Sequence, residues 1–175
     1  MKNTLNFKNN LTLILLLISL SLFAQKNDKY YLTIGARDLS SGISGISLGH
    51  IFIGYEMKSN KVFKAPQYRG FAPKEGIKYG TPQWLSGKIV QGELMSEDPE
   101  DVKASFKIEI NKSQYDKIKD VVFSWENSTM QYGINKNDCI SFVLVVLQKI
   151  NLQIPIRESD STPYYIYKAI EKLNN

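Results

Sequence analysis

NDCISFVLVVLQKI, residues 137–150, is the stretch on which the fold turns. Past its first three residues it is apolar almost all the way round. It is also longer than an ordinary strand. Length and lack of alternation favour a buried helix, although its β-branched valines leave a strand open. Asn137 and Asp138 are N-cap residue types, so Cys139 falls in the first helical turn. There, free backbone N–H groups and the positive end of the helix dipole favour a thiolate. The same N–H groups can hold a developing oxyanion. Cys139 is the only cysteine, which rules out an internal disulfide. An inert buried thiol is the plain alternative, because free Cys is among the most buried residue types. The helix-start placement argues instead for a reactive one.

Upstream, SLGHIFIGYEM (residues 47–57) alternates Ile51, Ile53 and Tyr55 with His50, Phe52, Gly54 and Glu56, a strand with both faces partly apolar. Residues 30–36 and 88–94 are further short strands. Residues 103–110 alternate Ala104, Phe106, Ile108 and Ile110 with charged positions, the pattern of a half-buried strand. A turn at Ser59-Asn60 leads to KVFKA (61–65), the expected returning strand of a hairpin. Residues 38–45 are a Ser/Gly-rich loop, 66–82 a long Gly/Pro-containing loop bordering the site, and SEDPED (96–101) an acidic turn. Ser113, with Asp116 three residues on, is the expected N-cap of an amphipathic helix carrying Tyr115, Ile118, Val122 and Trp125. A last helix starts near Ser161 or Thr162, with Pro163 in its first position, and runs to about Leu173. The expected fold class is α+β, with helices packed on an antiparallel sheet.

The first 24 residues read as a signal peptide. Lys2 and Lys8 make a positive n-region, residues 11–23 an apolar h-region too short to span a bilayer, and Ala24 a small residue before cleavage at Gln25. Cleavage after Ser21 and an uncleaved anchor are the alternatives. Residues 25–175 are then a single domain that works outside the inner membrane, periplasmic or secreted, touching the membrane only through the leader. Losing Lys2 and Lys8 takes the formal charge from +5 to +3, too weakly basic to argue for nucleic acid. A hydrophobic fraction of 43% suits a globular domain and excludes a disordered one.

His50 is the only histidine. A lone His on a strand is usually a satisfied polar residue. One His and one Cys, each in a position suited to nucleophilic catalysis, instead point to a thiolate–imidazole pair, which needs only an orienting group besides. The two supply at most two of the four ligands of a structural zinc, so no metal is expected. No GxxxxGK[ST], HExxH or GxSxG occurs, which removes phosphate-cradling, zincin and serine-hydrolase readings.

SLGHIFIGYE followed much later by NDCISFVLVV resembles the circularly permuted branch of the papain-like fold, in which the His strand precedes the Cys helix. That branch includes relatives of lecithin retinol acyltransferase and of bacterial cell-wall amidases. Its helix start is typically Asn-Cys-x-x-Phe. Cys139, Phe142 and Val143 match this frame, but Asp138 stands directly before the Cys and Asn137 one place earlier. The resemblance spans residues 48–147. It implies an antiparallel sheet against a buried helix that carries the cysteine. It also implies an exported cysteine hydrolase that cleaves an amide or peptide bond of a cell-envelope substrate through a Cys139–His50 acyl-enzyme, with no cofactor.

The resemblance further implies a polar residue that orients His50. Glu56 shares the His50 face but lies about 20 Å along the strand. Asn60, Lys61 and Gln67 remain, and Gln67 is the most usable as an acceptor. Tyr132 resembles the polar residue some relatives place beside the nucleophile, and Asn137 is a further oxyanion or orienting candidate. Two alternatives stand beside the amidase. One is a lipid thioesterase or acyltransferase on the same fold, with Phe71 and Trp84 lining an acyl channel. The other is a non-catalytic secreted binding module that uses the chain's ten tyrosines and two tryptophans.

Overall fold

Period-two alternation sends Leu32, Ile34 and Ala36 to one face of the first strand, and all three are fully buried. The computed structural model describes residues 28–37, 49–59, 64–74 and 89–175. Among them, six strands form one sheet: β1 (Lys29–Arg37), β2 (His50–Lys58), β3 (Gln67–Pro73), β4 (Val90–Ser96), β5 (Ala104–Ile110) and β6 (Gln131–Tyr132). Their order is β5-β1-β2-β3-β4-β6, and each neighbouring pair is antiparallel. Three helices follow or interrupt them: α1 (Lys112–Glu126), α2 (Cys139–Lys149) and α3 (Pro163–Asn174). The molecule is α+β, with helices packed on an antiparallel sheet, as the alternation and helical spacings imply.

The core is the apolar layer between sheet and helices. Leu32, Ile34, Ile51 and Ile53 meet Ile118, Phe142, Val143, Val146, Leu147 and Ile166, all within a few per cent of complete burial. Burying one such side chain contributes about 1.5–3 kcal/mol. The helix α2 is apolar round most of its circumference because it touches β2, β3, α1 and α3. Trp125 of α1 packs 5.0 Å from the Phe142 ring of α2, and 4.8 Å from Phe71 of β3. Phe71 is thus a core residue, not part of an acyl channel.

Four local expectations change. Among the described residues the strand that returns from β2 is β3: the ladder pairs Ile53, Gly54 and Tyr55 with Arg69, Tyr68 and Gln67, while Lys64 and Ala65 of the expected 61–65 strand lie outside any strand and residues 61–63 outside the described residues. Gly and Pro made this segment look like a loop, but Pro73 lies at the strand's last position and Gly70 serves a close approach described below. The N-cap of α1 is Asn111, not Ser113. Its side chain accepts from Gln114 N–H while the Gln114 side chain accepts from Asn111 N–H, a capping box. The acidic turn is a 3-10 turn at Pro99–Asp101 capped by Asp98, and Glu97 just before it is buried. The two-residue β6 had no sequence signal. The leader, the 38–45 loop, Asn60, Lys61, Trp84 and residues 75–82 lie outside the described residues.

Candidate functional site

The β1–β2 register puts Arg37 directly opposite His50. The third member arrives from β4. Beyond Ser96, Glu97 donates its backbone N–H to the Tyr68 carbonyl at 3.2 Å, which carries its side chain toward β3. Its carboxylate then bridges two cations. Glu97 Oε1 lies 2.8 Å from His50 Nε2, and Glu97 Oε2 lies 2.6 Å from Arg37 Nη2. The side chains of His50 and Glu97 are 3% and 2% exposed, so this contact is shielded from water.

Gly70 makes the crossing possible. A Cβ on Gly70 would lie 2.3 Å from Glu97 Oε1 and 2.5 Å from His50 Nε2, inside van der Waals contact with both. His50 and Gly70 both lie beyond the described β2–β3 ladder, and the carboxylate meets the imidazole over the bare backbone of β3.

The imidazole also hydrogen-bonds Cys139 at the start of α2. With Nε2 held by Glu97, Nδ1 is the nitrogen left for the thiol. Burial alone would lower the pKa of His50. The hydrogen bonds to Cys139 and Glu97, together with their charges, outweigh it and raise the pKa to about 9. His50 is therefore an imidazolium at neutral pH. Phe52 stacks near it, with ring centroids 6.2 Å apart.

The sulfur end of this chain borders a cleft of about 190 Å³. Its walls include Gly49, Tyr132, Ile134, Cys139, Ile140 and residues 159–163. Gly49 holds the left-handed φ of 57° that carries the chain into β2 at His50. At the floor, Asp138 caps α2: its Oδ1 accepts from Ser141 N–H at 3.0 Å, and its Oδ2 from Asn135 N–H at 2.9 Å. Arg157 grips the same carboxylate, with Nη1 at 2.8 Å from Oδ1 and Nη2 on Oδ2. Burial would push the Asp138 carboxyl up. Arg157 and the two backbone N–H groups more than offset it and hold the group below the usual carboxylate range. Phe142 N–H makes the first helical bond, to the Asp138 carbonyl. The Cys139 and Ile140 N–H groups precede it, in the positions that leave first-turn donors without a helical acceptor.

The structure brings Cys139 and His50 together. Tyr132 also belongs to this place: it is buried in the cleft wall, with its ring 5.7 Å from Phe71. Asn137 is exposed, and its carbonyl accepts from Gly133 N–H at 2.9 Å. Gln67 is not at His50. It sits at the start of β3 opposite Tyr55, whose hydroxyl donates to its Oε1 at 2.6 Å. Glu97 occupies the place expected for Gln67, because the partner reaches His50 from the far end of β4, not along the neighbouring hairpin. Glu56 pairs with Lys107 of β5. Sequence reasoning missed Glu97, Arg37, Gly70 and Arg157. The one available signal was that Glu97 directly continues a strand, whereas the other acids of SEDPED follow it.

Among the described residues, no group of three or more His, Cys, Asp or Glu is placed to hold a metal ion. Comparison with protein-family models, curated proteins and solved structures returns no match to this chain.

Proposed function

We propose that this protein is an exported cysteine hydrolase of the permuted papain-like type, acting on an amide or peptide bond of a cell-envelope substrate. The supporting observation is the chain of contacts from half-buried Arg37 through buried Glu97 and His50 to Cys139, which ends on a helix start beside an open cleft. A His strand that precedes a Cys helix packed on an antiparallel sheet supports the papain-like assignment. The cleft offers polar partners as well as apolar surface to such a substrate: Asn135, Ser159, Asp160, Ser161 and Thr162 face it together with Tyr132, Ile134 and Ile140.

The chemistry runs through named atoms. Cys139 Sγ, as thiolate, attacks the carbonyl carbon, and the oxygen that becomes negative accepts from the first-turn N–H groups of α2. The C–N bond breaks as His50 Nδ1–H gives its proton to the leaving amine. Neutral His50 then takes a proton from water. The hydroxide carbon–oxygen bond forms, the thioester carbon–sulfur bond breaks, and the carboxylic acid leaves with the thiolate restored. Glu97 holds Nε2–H throughout, fixing the tautomer whose Nδ1 can accept.

Purified protein lacking residues 1–24 should hydrolyse envelope-derived peptide amides in preference to lipid esters. It should also form an acyl adduct on Cys139 detectable by mass spectrometry. Cys139→Ala, His50→Ala and the double variant should fall to a similar residual turnover, each down by several decades, because groups acting as one unit do not add. A folded Cys139→Ala protein with full turnover would remove Cys139 as the nucleophile, and a folded parent with no turnover would leave the secreted binding module.

A further inference from the structure

On the reading above, Cys139 carries negative charge and then sits beside an oxyanion. Asp138 is the residue immediately before it, and its side chain is 5% exposed. A buried carboxylate there opposes both charges, with little solvent to screen the repulsion. A neutral residue such as Asn would cap the helix about as well. Arg157 reaches this carboxylate from the segment that forms the far wall of the cleft. Its Nη1 donates to Asp138 Oδ1 and, at 2.9 Å, to Ser141 Oγ; its Nη2 donates to Asp138 Oδ2 and, at 3.1 Å, to Asn135 Oδ1. Both carboxylate oxygens are taken by one planar guanidinium, the geometry in which Arg compensates a carboxylate best.

We propose that Arg157 is a positioning residue for the nucleophile, cancelling the charge of Asp138 so that the pair caps α2 as a neutral unit. This rests on Cys139 being the nucleophile. Among the described residues, the other charged or titratable groups around the sulfur are His50 from β2, with Glu97 and Arg37 behind it, and Tyr132 and Asp160 in the cleft wall. With Asp138 neutralised, the imidazolium is the charge that acts most directly on the thiolate.

Arg157 also braces the wall, so the test must separate charge from support. Cys139 is the only cysteine, and its alkylation by iodoacetamide can be followed against pH in folded protein without a substrate. Arg157→Gln should slow alkylation at pH 7 by about tenfold or more and move its profile to higher pH, with turnover falling in step. Arg157→Lys should recover most of this. The double variant Asp138→Asn/Arg157→Gln should return to within about threefold of the parent, because removing the charge removes the need for its partner. The proposal is overturned if folded Arg157→Gln keeps the parent profile, or if the double variant is as slow as Arg157→Gln. Should Arg157→Gln not fold, the double variant must restore both fold and profile, and its failure would make Arg157 a brace only. Alkylation that follows this pattern in a protein that hydrolyses no amide supports the charge pairing and sinks the hydrolase reading alone.

Discussion

The two ends of the β2–β3 hairpin satisfy polar side chains in opposite ways. At one end, Tyr55 donates to Gln67, a neutral bond within the hairpin, with Tyr55 packed edge-on to Tyr115 of α1. At the other, His50 meets a carboxylate brought from β4, a guanidinium from β1 and a thiol from α2. The first end needs only its two strands. The second needs four elements to arrive together, and each buried charge is tolerable only because the next one compensates it. Charge in this molecule collects where the sheet borrows partners from elsewhere, and neutral hydrogen bonding where it supplies its own.

The sharpest way to break this contrast is Glu97→Gln. It removes the charge between His50 and Arg37 while keeping the shape. Turnover should drop on the order of 10²-fold. Stability should drop by about 3–5 kcal/mol, as when one partner of a buried pair is lost. The NMR titration of His50 should move down toward 6.5. An unchanged titration would remove Glu97 from the mechanism.

The intermediate effect is pH dependence. The folded pKa of His50 is about 9, above the ordinary 6.5. A raised pKa means that the folded state binds the proton more tightly. The stability it contributes is complete below about 6.5 and is lost as pH rises through about 9. Melting temperatures of the parent should fall between pH 6.5 and 9, and those of Glu97→Gln should be flatter over the same window. Tyr55 gives the control: burial raises its pKa from 10.0, so it stays neutral across the window. A parent melt independent of pH in this range would count against the charged pair.

The smallest effects belong to the other end. Tyr55→Phe should cost about 1 kcal/mol, the net worth of one hydrogen bond, and leave turnover and the His50 titration unchanged. Gln67→Ala should behave the same way. A large loss of turnover in Gln67→Ala would mean that the two ends are coupled and would erase the distinction.

Period and caps made much of this legible beforehand. Alternation identified β2 and β5, a short apolar run β1, and the longer apolar run with Asp138 before it α2 and its cap. Thr162 and Pro163 opened α3 where the sequence put them. Cys139 and His50 stood out because each is single in the chain. What stayed hidden was any contact decided by strand order. Within residues 96–101 only its place directly after a strand sets Glu97 apart from the other acids, and that place does not reveal a crossing over β3. Gly70 looked like a loop glycine because its role is to be absent where two other side chains meet. Gln67 was a reasonable partner by sequence neighbourhood, and the sheet placed it at the wrong end.

Strand order has a consequence for when the site exists at all. β1 pairs on one side with β2 and on the other with β5, so that Tyr30 meets both Met57 and Ile110. Closing such long loops costs entropy before any contact repays it, and sheets rich in distant pairings fold slowly. Arg37, His50, Glu97 and Cys139 emerge from the ribosome in that order, each separated from the next by unfinished structure. A chain that has not yet emitted α2 holds an imidazole with no thiol to act on. One that has emitted α2 without closing the sheet holds a thiol with no imidazole. On the proposed reading, the thiol–imidazole pair is complete only when the chain is.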